Sequence, residues 1–203
     1  MRRCLRLPIC LAALLQLGGA GMKGMIFTEF FDMVEEVHGL QMAESLIDQT
    51  APASGGIYTA VGDYDYREIV SYAVALSERT GVPLPDLLRA FGSWVFERLF
   101  VAHYSGFFAE PRSVFEFLSS IESHIHVEVR KLYPDAQLPR FETDIATPDQ
   151  MRLTYRSQRP LAEFAMGLIQ GCIAHYQEPI VVTMQDLSAG AGTSARFELT
   201  RTG

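Results

Sequence analysis

Cysteine is nearly absent from the body of this chain. There are 3 among 203 residues; Cys4 and Cys10 sit at the very start and only Cys172 lies further on. Neither a disulfide framework nor a cysteine-rich zinc centre can be built from one thiol, and such a body reads as cytosolic. A basic cluster is missing as well. With 17 basic against 24 acidic residues the formal charge is -7, which on average repels a nucleic-acid backbone. No internal repeat is visible, and there is no apolar run of membrane-spanning length. The longest, from Leu7 to Leu17, is too short and too loosely apolar. Arg2, Arg3 and Arg6 lie before or at its start and small residues close it at Gly21, which is the layout of a secretory signal peptide. The competing reading is that translation starts at Met22 and residues 1–21 are upstream sequence. The first makes the product exported, the second leaves an acidic domain over 22–203.

What remains is ordinary globular composition, 48% apolar and 20% charged, enough for one well-filled core. From Met22 to about Val101 the apolar residues recur at helical steps, as in Phe27, Phe30, Phe31, Val34 and Val37, with His38-Gly39 as a stop. A short helix is expected over Ala43–Gln49. APASGG then breaks the chain, and IYTAVGDY reads as a loop or short extended piece before a helix over Tyr66–Thr80. Another opens at PLPD with Asp86 as its N-cap. Ser113 caps the next, whose apolar face is Val114, Phe117, Leu118, Ile121, Ile125, Val129 and Leu132. His124 and His126 flank that face on opposite sides, so periodicity does not choose between them. After Pro139 the period changes to two. RFETDIA, DQMRLTYRSQR, PIVVTMQDL and SARFELTR read as strands, with a helix from Pro160 to about Tyr176 among them and SAGAGT as a hairpin loop. The expected class is α+β: a helical N-terminal part and an antiparallel sheet of about four strands crossed by one helix.

The strand DQMRLTYRSQR carries an unusual face. Met151, Leu153, Tyr155, Ser157 and Arg159 point one way, and Arg152, Thr154, Arg156 and Gln158 point the other, toward solvent. The first face begins apolar and ends in a phenol, a hydroxyl and a guanidinium. Burying that guanidinium without an anion is costly, so the three donors suggest a carboxylate or phosphate acceptor. Taken alone, Arg159 reads as readily as a solvated strand end.

Taken in order, MKG, YTAVGDYD, HxxVRKLYPDAQLPRF and YRSQR resemble the haem nitric oxide/oxygen binding family, which includes the haem domain of soluble guanylate cyclase and stand-alone bacterial gas sensors. The resemblance runs from Met22 to about Arg201. It favours a start at Met22, where family members commonly begin, and it implies a cytoplasmic protein with haem between the helical part and the sheet. Its proximal histidine matches His126, with Tyr133-Pro134 beginning seven residues on and Pro139 thirteen on. Tyr155, Ser157 and Arg159 would hold the haem propionates and Pro139 would press on the porphyrin. There is no CxxCH string, so the haem would be haem b, bound without thioether links.

Oxygen-binding members have a tyrosine five residues after the arginine of YxSxR, and Phe164 stands there. With Ile26, Phe30 and Leu168 it implies an apolar gas pocket, hence a nitric oxide sensor that excludes oxygen, with carbon monoxide as a further ligand. Tyr72 or Tyr104 reaching the pocket would overturn this. The resemblance implies release of His126 on nitric oxide binding, movement of its helix, and a separate effector such as a histidine kinase or a cyclic-di-GMP enzyme. A haem carrier or storage protein is the alternative. A haem enzyme would need a distal acid/base group, for which only His103 and His175 are at hand.

Overall fold

Phe27, Phe30, Met33 and Val34 recur at three- and four-residue steps, and in the computed structural model they are the buried face of a helix, α1, over Gly24–His38. The structure describes residues 21–102, 111–132, 134 and 136–202. The first twenty residues, the segment containing His103 and Tyr104, and Tyr133 lie outside them, and so do the expectations that fall there. A short strand β1 (Gly21–Lys23) precedes α1 and pairs antiparallel with β2 (Asp63–Asp65). Between them come α2 (Leu40–Thr50) and a loop whose Gly62 carbonyl accepts from Gly24 N at 2.8 Å.

The helix expected over Tyr66–Thr80 is α3, capped by Asp65, whose carboxylate accepts from Arg67 N. The next helix, α4 (Leu84–Val95), is capped by Pro83 and not by Asp86. Asp86 lies inside the first turn, its N–H given to the Pro83 carbonyl at 3.0 Å, and its charge favours the helix N-terminus from there. α4 then widens into a π-helical stretch, Phe96–Val101.

Ser113 does cap the following helix, accepting from Glu116 N, but the single helix expected to run past the histidines is broken. It consists of α5 (Val114–Ser119), a π-helical turn (Ile121–Ile125) and α6 (His126–Leu132). The strands β3 (Arg140–Ala146), β4 (Gln150–Arg156), β5 (Ile180–Asp186) and β6 (Ser194–Arg201) form one antiparallel sheet in the order β3-β4-β6-β5, and α7 (Ala162–Tyr176) lies between β4 and β5 in sequence. This is the α+β layout expected. Thr154, assigned to the solvent face, is buried. β3 bulges between Thr143 and Ile145, and the Asp144 carboxylate covers Thr154, accepting from its hydroxyl at 2.6 Å.

Two cores result. One gathers α1–α4 around Phe27, Phe30, Tyr72 and Phe91. The other joins α5, α7 and the sheet around Phe117, Leu153, Tyr155 and Phe197. Leu168 and Phe100 pack against both, so the seam between the cores runs along α7 and the end of α4.

Candidate functional site

A cavity of about 280 Å³ lies in that seam. His126 is on its wall, and the π turn explains why. In a continuous helix each residue turns about 100°, which leaves His126 well off the apolar face. One i→i+5 turn inserts an extra residue and rotates everything after it back by about that amount, onto the face. The Ser120 carbonyl receives both His124 N (2.8 Å) and Ile125 N (3.2 Å), the four- and five-residue steps of that turn. His126 ends up 7% exposed, while His124 is exposed on the outer side. The choice that periodicity left open is thus made by a backbone irregularity.

His126 Nδ1 lies 3.0 Å from Glu122 Oε1, and the same oxygen accepts from Phe141 N at 2.8 Å. A carboxylate only accepts, so Nδ1 carries the proton and Nε2 the lone pair. Burial lowers the His126 pKa, against the opposing pull of Glu122. An imidazole held in this way has Nε2 free to accept a hydrogen bond or to ligate a metal.

Leu138 and Pro139 also line the cavity, as do Phe141 and Tyr155 of the sheet. Ser157 and Arg159 close its mouth. Regular pairing of β4 stops at Arg156, but the inward alternation continues, for Ser157 N bonds to the Thr193 carbonyl at 2.8 Å and Arg159 N bonds to Ser157 Oγ at 3.0 Å. The Arg159 guanidinium donates through Nη2 to the Gly21 carbonyl, whereas its Nε is buried with no partner. Burial pushes the arginine's pKa down and the Tyr155 phenol's up. An orphaned guanidinium N–H at the mouth of an apolar cavity calls for an anion. Beyond the mouth, an open cleft of about 480 Å³ shares Ser157 and Arg159 and is lined by Arg130, Arg140 and Arg156. An apolar cavity with a cationic mouth fits an apolar ligand that carries an anionic group at one edge.

Ile26, Phe164 and Leu168 line the cavity too. Phe30 does not. It is 2% exposed in the helical core, with Phe91 at 5.3 Å and Tyr72 at 6.2 Å between ring centroids, because the inward face of α1 points Phe30 toward α3 and α4. Phe164 stands in front of that layer, 5.1 Å from Phe91. Tyr72 is likewise absent from the cavity lining, and its hydroxyl is 2.8 Å from that of Tyr58. His175 packs against Phe96 and Tyr176 and is also absent from the lining. Sequence reasoning missed Glu122, although its four-residue step to His126 was open to view.

Among the described residues no helix is long and apolar enough to cross a membrane. No curated protein matches the chain. Solved structures do. An H-NOX protein from K. algicida in its Fe(II) unliganded form is 36% identical, with 90% of this chain and 97% of that one covered at a TM-score of 0.85. The H-NOX from Shewanella woodyi, in an Fe(II)CO state, is 38% identical over 89% of this chain and 95% of its own at 0.75. One from S. oneidensis in the Fe(II)NO state is 26% identical over 90% and 100% at 0.81. The Haem-NO-binding family profile matches residues 23–184. Profile and fold together place the chain in the Haem-NO-binding (H-NOX) family of gas-sensing domains.

Proposed function

We propose that this protein is a haem-based sensor that responds to nitric oxide, excludes oxygen and passes its signal to a separate protein through the helix carrying His126. One observation carries the reading: a single cavity has on its walls a buried histidine with Nδ1 committed to a carboxylate, and at its mouth a buried guanidinium N–H with no partner.

Haem b, held without covalent attachment, would supply an iron able to bind a diatomic gas. His126 would hold the iron through Nε2. Arg159, Tyr155 and Ser157 would hold the two carboxylates at the edge of the ring, and Pro139 would bear on its face. Ile26, Phe164 and Leu168 would line the gas side, with Phe30 one layer behind.

Oxygen depends on a hydrogen-bond donor for stable binding and nitric oxide does not. A single donor is worth roughly 1–3 kcal/mol, about five- to 150-fold in affinity. Phe164 offers none, and the Tyr72 hydroxyl is turned to Tyr58. His126 would hold the iron, and its release when nitric oxide binds would let α6 shift. That helix follows directly on the π turn, so a move of one register step is open to it. By family analogy the receiver is a histidine kinase or a cyclic-di-GMP enzyme, and carbon monoxide binds at the same place as nitric oxide.

The test is the absorption spectrum of the purified ferrous protein, alone and then under carbon monoxide, oxygen and nitric oxide. Shifts with the first and last gases and no stable complex in air are expected. Long-lived, reversible oxygen binding would refute the selectivity and require another donor in the pocket.

A further inference from the structure

Glu122 is not on the cavity lining, yet it bonds the histidine that is. Its Oε1 receives two donors, His126 Nδ1 at 3.0 Å and Phe141 N at 2.8 Å. They come from different elements, α6 and β3. The Phe141 ring lies between the two halves of the site, 6.2 Å from the His126 ring and 5.4 Å from that of Tyr155. One oxygen therefore joins the π turn, the histidine helix and the first strand of the sheet.

We infer that Glu122 is the positioning residue for His126, setting both the orientation and the donor strength of its imidazole, and that it ties that strength to the place of β3. The inference rests on the reading that His126 is the iron ligand. A carboxylate on Nδ1–H draws the proton toward itself and leaves more electron density on Nε2, which makes a stronger axial ligand than an imidazole bonded to a neutral carbonyl. The negative charge also favours the ferric over the ferrous ion. The stronger ligand opposes the release that nitric oxide promotes, so Glu122 sets how readily the sensor fires, while its charge lowers the reduction potential. Because Phe141 N shares the oxygen, a movement of α6 away from the haem either stretches the bond to β3 or takes the carboxylate along.

The rival account is that Glu122 only fastens the Phe141 amide. Two variants separate the accounts. In Glu122→Gln the side-chain carbonyl still accepts from both donors and only the charge is lost, whereas in Glu122→Ala both bonds are lost. The measurements are the iron–histidine stretch of the ferrous protein by resonance Raman and the reduction potential. Glu122→Gln is expected to lower the stretching frequency and raise the potential. Glu122→Ala should do the same and also weaken haem binding by about 10- to 100-fold. A Glu122→Gln protein with wild-type frequency and potential overturns the inference, whatever Glu122→Ala does. A wild-type protein with no iron–histidine band, or one whose band survives His126→Gly, overturns instead the assignment of His126 on which the inference stands.

Discussion

Two helical walls of the cavity, α7 backed by α4 and the pair α5–α6, are built differently. On the side of Phe164, α4 and α7 cross so closely that a Cβ at Gly92 would collide with the Phe164 carbonyl, and one at Gly167 with the Arg89 carbonyl. Gly171 leaves room for Phe96, whose Cβ would be 2.7 Å away. The crossing is fastened by Ser93 Oγ donating to the Gly167 carbonyl at 3.0 Å and by Arg89 Nε on Glu163 at 2.6 Å. On the histidine side, α5 and α6 have 6 and 7 residues and a π turn joins them. Helices of that length do not stand alone and take their place from what they pack against. Backbone against backbone has no slack at Gly92 and Gly167, and the π-helical stretch Phe96–Val101 comes only after that crossing. The π turn Ile121–Ile125, in contrast, lies directly before His126 and already holds one residue more than an α-helix needs. A strain applied at the centre of the cavity is therefore expected to move the histidine wall more than the wall that carries Phe164.

The contrast can be broken at its largest point by His126→Gly. With His126 as the proposed iron ligand, this would remove the link between the compliant wall and the iron, and the protein should lose haem outright or regain it only with added imidazole. His124→Ala, on the exposed side of the same turn, should keep a normal Soret band. The opposite pattern would mean that the π turn does not decide which histidine faces the cavity.

The rigid wall is tested by Gly167→Ala. The added methyl meets a carbonyl that cannot move without displacing α4, so the substitution should cost about 1–3 kcal/mol or more in urea unfolding. It should also disturb the gas spectra, since Phe164 and Leu168 ride on α7. A neutral result would show that the crossing has slack after all.

The difference between the walls also marks what could be seen in the sequence. The period of three to four residues locates α1 and α3, and the alternation after Pro139 locates all four strands, because burial on one face leaves a repeating trace. The π turn leaves none. It is a backbone choice at Ile121–Ile125, made where Ile121, Ile125 and His126 all gain by facing the cavity, and no residue type demands it. The glycine crossing is invisible for a related reason: Gly92 and Gly167 lie 75 positions apart, and only the fold shows that each is the other's neighbour. Phe30, expected at the gas pocket, lies a layer behind it because helical period tells which face is buried, not how many layers separate that face from a ligand. Arg159 is legible, since a cation on the inward face of a strand raises the question of its anion from residue alternation alone.

A smaller effect separates two arginines at the mouth. Arg159→Ala removes the guanidinium whose buried Nε lacks a partner, and haem should be lost faster to a haem scavenger. Arg156 has its side chain 61% exposed, 3.9 Å from Glu142, and its replacement by Ala should change little. Equal loss rates would return Arg159 to the role of a solvated strand end.

The smallest predicted effect is at the start of the compliant wall. Ser113 Oγ accepts from Glu116 N at 3.2 Å, which is the only capping bond its side chain makes to α5. The neighbouring orphan Val114 N is already satisfied by Glu178 Oε1 at 2.9 Å, and Glu116 reaches back to Arg112 N at 2.8 Å. With those two bonds intact, Ser113→Ala should cost about 1 kcal/mol or somewhat less, and Ser113→Asp should restore the loss. If the histidine wall takes its place from its packing and not from its own helicity, the Soret band and the iron–histidine stretch should stay at their wild-type positions in Ser113→Ala. A shift of either would mean that the short helices set the position of His126 themselves, and that the wall held here to be compliant is fixed from its N-terminal end.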